Sequence, residues 1–270
     1  MLVAVRAQWY HRAVSVPRRP SDTDSLVSAV WSQRCERDAP PYLLPPDTGI
    51  TFVFSFADGT EARGGYEPVC SLGEHYCTGL RTRPVTLHPR GAVDYFAVTL
   101  RPHALRSLLG IHAREVSDAF VDLSHLCRGL CDAMEPCATS GASEASRVRA
   151  LDNYLRHRMS GGVLEPPRYL LRALDCISAA HGNVRIARLG DTIGATTRQL
   201  EREFDRWVGV SAKFYARITR MNRALRILEF DGTTSSLAEV VESLGYYDQA
   251  HLCGEFVELV GMRPSEVAGV

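Results

Sequence analysis

One motif occurs twice in the C-terminal part of the chain, and this duplication restricts the fold more than any other feature. Leu189-Gly190-Asp191-Thr192-Ile193-Gly194, followed by Leu200, Phe204 and Gly209, returns as Val240-Val241-Glu242-Ser243-Leu244-Gly245, followed by Leu252, Phe256 and Gly261. The offset is 51 residues up to the internal glycine and 52 after it, so the second turn holds one more residue. Gly194 and Gly245 stand where a helix must stop, and glycine takes the left-handed stop conformation at little cost. Thr196 can cap the helix that follows, with Gln199 three residues on to complete a capping box. Each copy therefore reads helix, tight turn, helix, the arrangement whose second helix suits the DNA major groove.

A repeat of helical hairpins with no interest in DNA would show the same glycines and apolar spacing. The segment between the copies argues against that plainer reading. Phe214, Ile218, Met221, Leu225 and Leu228 form one apolar face of a helix expected from about Ser211 to Glu229. Lys213, Arg217, Arg220, Arg223 and Arg226 crowd its other faces. The formal charge of the whole chain is zero, which alone would count against nucleic acid. Its distribution reverses that inference. Residues 166–226 hold twelve Lys or Arg against five acids, a net of +7, whereas residues 227–270 hold one Arg against eight acids, a net of −7. The first copy and the connecting helix thus carry the footprint of a phosphate binder.

Before residue 125 or so the pattern changes. Ile50-Thr51-Phe52-Val53-Phe54-Ser55-Phe56 is a β-rich run ended by the turn signal Asp58-Gly59. Residues 83–89 and 93–100 read as two more strands around Arg90-Gly91, and together they suggest a small sandwich or partial barrel. Helices follow at His103 to Leu109 and at Ser143 to Met159, where Val148, Leu151, Leu155 and Met159 recur at helical intervals. That second segment is a candidate pairing surface, with burial against its own half as the alternative. Gly161-Gly162 and Pro166-Pro167 mark a hinge across which few contacts are expected.

The C-terminal part resembles the AraC/XylS family of bacterial transcription regulators. The likeness rests on Leu189 to Gly209, on Arg220-Met221-Asn222-Arg223-Ala224-Leu225, and on Leu244-Gly245-Tyr246-Tyr247-Asp248-Gln249-Ala250-His251-Leu252 with Phe256, Gly261, Met262, Arg263, Pro264 and Ser265. The resemblance implies an all-α domain of two helix-turn-helix units joined by a linker helix, each unit addressing one of two adjacent major-groove segments. Leu44-Pro45-Pro46-Asp47, Arg81-Thr82-Arg83-Pro84 and Leu100-Arg101-Pro102 are similar to the β-rich sensor region fused to some of these domains, which implies a cupin-like fold. The fold class expected is therefore α+β. A β-rich sensor occupies 1–125, a helical connector and hinge 126–165, and the double helix-turn-helix domain 166–270.

On this reading the first recognition helix runs from about Thr197 to Trp207. Leu200 and Phe204 face the core, and Thr197, Arg198, Gln199, Arg202 and Arg206 are available to DNA. A guanidinium can hydrogen-bond a guanine edge bidentately, and Gln199 suits adenine. Arg220 and Arg223 lie on the polar side of the linker helix, and at least one of them is expected to hold phosphate. The second recognition helix, from about Asp248 to Val257, offers Gln249 and His251, with Asp248 as its cap. It departs from the family at Cys253-Gly254-Glu255, where relatives often carry an arginine, and Glu255 is expected to oppose phosphate.

Other chemistry finds little support. There is no His-x-His, and Glu74-His75-Tyr76-Cys77 has no second histidine at ligand spacing. His125, Cys127, Cys131 and Cys137 could form a metal or redox group, but packing is the better account of scattered cysteines. No catalytic residue, metal or cofactor is expected. The partners expected are double-stranded DNA, with room for a small-molecule effector, RNA polymerase and a second copy of the chain. With neither a targeting signal nor a membrane span, the cytoplasm is the expected location. Two rival readings are a cysteine- or metal-dependent sensor or enzyme fused to the helix-turn-helix domain, and an interaction module that has lost strong DNA binding.

Overall fold

A computed structural model of the chain describes residues 14–15, 22–35, 40–57, 60–64, 66–72, 75–138, 142–230 and 237–267. Asp58-Gly59 and Glu74, singled out above, lie outside them. The N-terminal half holds strands β1 (Val14–Ser15), β2 (Val27–Cys35), β3 (Tyr42–Leu44), β4 (Ile50–Ser55), β5 (Thr60–Gly64), β6 (Tyr66–Leu72), β7 (His75–Thr78), β8 (Val85–Pro89), β9 (Val93–Leu100) and β10 (Phe120–Asp122). They form two antiparallel sheets, ordered β1-β2-β9-β4-β7-β10 and β3-β8-β5-β6.

The larger sheet is covered on both faces, which explains why β4 reads as a continuous apolar run and is buried at every residue. Ile50, Phe52 and Phe54 of β4 join Phe96, Val98 and Leu100 of β9 under the helices. Val53, Tyr95 and Ala97 point the other way, toward the smaller sheet and its Tyr42, Val85 and Leu87. The covering helices are α1 (Ala104–Leu109), α2 (Leu123–Met134) and α3 (Glu144–Ser160). Leu105, Leu130, Met134, Leu151 and Leu155 fill that outer core.

Helix α3 starts at Ser143, whose hydroxyl accepts from the Ser146 N–H at 3.2 Å. Its inner face carries Arg147, which reaches both oxygens of Asp94 at 2.7 and 3.0 Å and lies 4.1 Å over the Phe56 ring. These contacts bury the apolar face within its own half, so this face is not the pairing surface that the sequence admitted. Helix α2 is interrupted at Cys127 (φ −154°, ψ 63°), so Cys127 and Cys131 do not lie on one regular helix face. The Cys127 sulfur instead meets the Tyr154 hydroxyl at 2.8 Å. Among the described residues no His, Cys, Asp or Glu cluster could hold a metal, and no helix is long and apolar enough to cross a membrane.

The C-terminal half is helical: α4 (Arg168–Ala179), α5 (Ile186–Ile193), α6 (Thr197–Trp207), α7 (Ala212–Phe230), α8 (Leu237–Leu244), α9 (Gln249–Val260) and α10 (Pro264–Val267). Helices α5–α6 and α8–α9 are the duplicated pairs, and α7 is the connecting helix. Gly194 and Gly245 are left-handed, with φ of 75° and 67°. Leu189, Ile193, Leu200 and Phe204 of one pair share a single core with Val240, Leu244, Leu252 and Phe256 of the other. The bridge is the apolar face of α7, formed by Ile218, Met221, Leu225 and Leu228.

The expectation of few contacts across the hinge is corrected. Leu80, from the β-rich half, is buried in the helical core, and Leu43 packs against it. The Arg106 guanidinium lies 5.3 Å over the Trp207 ring, and Arg114 meets Asp205 at 3.1 Å. Closest of all is Gly209, with φ of 88°. A Cβ there would stand 2.9 Å from the Arg114 nitrogen and 3.0 Å from the Ala113 carbonyl carbon. A glycine- and proline-rich connector describes only the connector, and apolar surface on both sides of it decides the docking. Gly209→Ala should therefore cost about 1–3 kcal/mol of stability. Gly162→Ala is the control, because Gly162 also has positive φ (87°) but open space around it. Urea unfolding of both variants checks this, and equal losses would mean that backbone strain, not the contact between halves, is at work.

Candidate nucleic-acid interface

Local chemistry fixes helix α6. The Thr196 hydroxyl accepts from the Gln199 N–H at 3.2 Å, and the Gln199 side-chain Oε1 accepts from the Thr196 N–H at 2.9 Å. This is the reciprocal capping box, and the helix runs over Thr197–Trp207 as the spacing indicates. Leu200 and Phe204 are buried, while Thr197, Arg198, Arg202 and Arg206 are exposed. Gln199 is exposed too, yet its oxygen already serves the cap.

Helix α9 is built the same way but presents different chemistry. The Asp248 carboxylate accepts from the His251 N–H at 2.7 Å, so Asp248 is the cap, as expected. Aligning the caps Thr196 and Asp248 places Arg198 opposite Ala250, Arg202 opposite Gly254 and Arg206 opposite Glu258. Every arginine that α6 offers is thus replaced on α9 by a small residue or an acid. Gln249 and His251 are exposed, but His251 is engaged: its Nδ1 accepts from the Tyr247 N–H at 3.4 Å and its ring stands edge-on to Tyr246. Tyr247 at the turn is 90% exposed, a position that apolar periodicity did not single out.

Two buried glutamates are the features that sequence reasoning missed. Glu203 is 3% exposed and accepts from Trp207 Nε1 at 3.1 Å and from Arg202 Nε at 3.0 Å. Glu255 is 5% exposed, so the expectation that it opposes phosphate is corrected. It accepts from Arg220 Nη2 at 2.8 Å and faces Arg217 Nε at 3.6 Å and the Tyr246 hydroxyl at 3.4 Å. Arg220 also lies 4.3 Å over the Tyr246 ring. Of the two linker-helix arginines offered for phosphate, Arg220 is therefore held against the second unit. Arg223 is exposed, as a phosphate contact requires. A signal was available in the sequence: each glutamate immediately precedes its unit's core phenylalanine, Phe204 or Phe256.

A cavity of about 700 Å³ opens between the halves. The β-rich half lines it with Trp31, Gln33, Tyr42, Tyr76, Tyr95 and Arg81, among others. Leu171, Leu174, Asp175 and Ser178 of α4 close it from the helical half, with Tyr215 and Arg226 of α7. Arg81 is 2% exposed and is held by Thr78 Oγ1 at 2.8 Å, the Pro45 carbonyl at 3.2 Å and Asp47 at 3.5 Å. Burial pushes the Tyr42 and Tyr76 hydroxyls well above the usual phenol range, so both stay neutral.

Residues 189–269 match the model of a helix-turn-helix domain family, and residues 20–122 match that of a domain of unknown function, DUF6597. The helix-turn-helix match supports the resemblance of the C-terminal part to the AraC/XylS family. The fold is similar to that of ToxT from Vibrio cholerae. An apo ToxT variant superposes with a TM-score of 0.51 at 10% identity, covering 89% of this chain and 97% of that one. ToxT bound to a methylnaphthalenyl butenoic acid gives 0.50 at 9% identity, with the same coverages. No curated protein matches the sequence. The β-rich first half followed by helix-turn-helix units is thus a two-part architecture shared with ToxT, and the match over residues 189–269 marks the second half as a helix-turn-helix domain.

The buried Glu255 makes a test possible that needs no DNA. Glu255→Ala strands Arg220 and should cost about 3 kcal/mol, whereas Glu258→Ala, at an exposed pair with Arg217, should cost under about 0.5 kcal/mol. Urea unfolding reads the difference, and hydrogen exchange should rise first in α8 to α10. Equal effects of the two substitutions would remove the assigned role of Glu255.

Proposed function

We propose that this chain is a sequence-specific transcription regulator that reads bases chiefly through α6, and whose DNA affinity is set by a small molecule in the cavity between its halves. One observation carries the first part: Arg198, Arg202 and Arg206 stand exposed on α6, while Ala250, Gly254 and Glu258 occupy the matching positions of α9. Base edges are read by side chains that can reach them, and guanidinium groups do so bidentately on guanine. Arg223 takes a phosphate and fixes register without carrying base information. Gln249 and His251 stay at the margin of the contact, and Arg220 acts through Glu255 as a strut of the second unit. Gln199 and Thr197 flank the reading face, the former as cap partner.

The effector part is supported by where the cavity lies. Ligand pockets favour junctions between structural units, and this one is lined by the β-rich half, by α4 and by α7. A ToxT structure of the same fold holds an organic acid, which supports ligand control in a chain built this way.

DNA binding by variants tests the asymmetry. Against the preferred operator, selected from random duplexes, Arg202→Ala should lose on the order of tenfold to a hundredfold in affinity and relax one base preference. Gln249→Ala should lose less. Gly254→Arg, at an exposed position with open space where a Cβ would go, should gain affinity. A larger loss at Gln249 than at Arg202 would overturn the division of labour.

Arg223→Ala should weaken all duplexes about equally. It should also flatten the dependence of log affinity on log salt by roughly one unit, the value of one lost phosphate contact. An unchanged slope would return Arg223 to the solvated surface.

A further inference from the structure

A long side chain that reads a base edge gives up rotamer freedom, and a guanidinium that is already held gives up less. Of the exposed arginines of α6, Arg202 has such a hold. Its side chain is 61% exposed, yet its Nε donates to Glu203 Oε1 at 3.0 Å. Glu203 is buried and is itself fixed, because its other oxygen accepts from Trp207 Nε1 at 3.1 Å. Tyr169 of α4 hydrogen-bonds the same guanidinium.

Which nitrogen is engaged decides what remains for DNA. A guanidinium carries five N–H donors, and the edge of a guanine takes two of them. Glu203 takes Nε and Tyr169 one donor more, so both terminal nitrogens keep a donor for a base. An exposed ion pair between two mobile side chains would fix little. Here one partner is buried and bonded at both oxygens, and the arginine inherits its geometry.

The hold continues into the β-rich half. The Arg106 guanidinium of α1 lies 5.3 Å over the Trp207 ring, within the distance at which a cation is drawn to an indole face. Trp207 thus meets Arg106 with its ring and Glu203 with its N–H. The second unit keeps only the acid. With the caps aligned, Gly254 stands for Arg202 and Leu259 for Trp207, while Glu255 stands for Glu203 and turns to Arg220 and Arg217 of α7. The exposed arginine and the indole that steadies its partner are present together in one unit and absent together from the other.

We infer that Glu203 is the positioning residue for Arg202, and that Arg106 steadies it through Trp207, so that the docked β-rich half helps to set the preference at one base pair. This rests on the reading of Arg202 as a base contact.

The test uses the full-length chain and duplexes in which each base pair of the selected operator is changed in turn. Arg202→Ala marks the base pair that Arg202 reads. Glu203→Gln keeps the shape and an acceptor for Trp207, and should weaken the preference at that same base pair by about threefold or more. Preferences elsewhere, and affinity for random duplex, should stay within about twofold, because phosphate contacts are untouched. In the Arg202→Ala background, Glu203→Gln should change that preference no further, as expected of residues that act as a unit. Trp207→Phe, which leaves a ring in the core and removes the donor, and Arg106→Leu should each weaken it by about twofold or more. Melting curves establish that each variant is folded, and Trp207→Phe decides the role of Glu203 if Glu203→Gln is not.

Full preference in Glu203→Gln would overturn the positioning role and leave the reading of Arg202 intact. A uniform loss over all duplexes, random ones included, would overturn it too and make Glu203 a residue of the core alone. Full preference in Arg106→Leu would overturn the link to the β-rich half. If Arg202→Ala changes no single preference, the base-reading role of Arg202 fails and the inference fails with it.

Discussion

Burial of one face of α7 between the two helix-turn-helix units is the constraint on which the rest of the structure depends. Ile218, Met221, Leu225 and Leu228 are all within a few per cent of full burial, and they make a single core of what would otherwise be two small ones. A helical pair of some twenty residues cannot bury enough apolar surface to stand alone. With one face spent on that core, the remaining faces of α7 divide the other tasks. Tyr215 and Arg226 reach the cavity, Arg217 and Arg220 hold α9, and Arg223 is left to solvent or phosphate.

The buried glutamates show how a repeated scaffold becomes two different modules. Both Glu203 and Glu255 sit one residue before the core phenylalanine, and both are almost fully buried, so the duplication kept an acid inside each unit. A buried carboxylate must be paired, and the pairing differs. Glu203 is satisfied within its own helix, by Trp207 and Arg202, and this leaves the first unit self-contained. Glu255 is satisfied from outside, by arginines of α7 and the Tyr246 hydroxyl. The second unit is thereby fastened to the linker by charge as well as by apolar contact. That use of Arg220 withdraws a cation from the outer surface beside the second unit, whose own segment carries net negative charge.

Local chemistry was legible in the sequence, and tertiary chemistry was not. Gly194, Gly245 and the Thr196–Gln199 box announce helix ends because their cause lies within four residues. The strand at Ile50 was visible for the same reason, although its burial on both faces was not, since that depends on the smaller sheet and on helices that begin only at Ala104, Leu123 and Glu144. Docking of the two halves escaped sequence reasoning altogether: Leu80, Arg106 and Gly209 have no pattern to share, and Gly161-Gly162 suggested separation. Arg220 and Glu255 escaped because charged side chains are assigned to solvent by default. The exposed arginines of α6 could be proposed from spacing, but not that Arg202 leans on Glu203 through Nε while its side chain stays exposed.

The contact between halves bears on how a signal could reach DNA. A ligand shifts an equilibrium only by the difference in its affinity for two arrangements. Here the cavity wall includes α4 and α7, so any rotation of the helical half against the sheets changes the cavity itself. The same rotation would disturb Gly209 on Ala113–Ser117, and with it the C-terminal end of α6, where Asp205 meets Arg114 and Trp207 lies under Arg106. Helix α6, the linker helix and the cavity wall are thus parts of one packed body, and a ligand bound against that wall would be felt at α6 through rigid contacts rather than through a flexible joint.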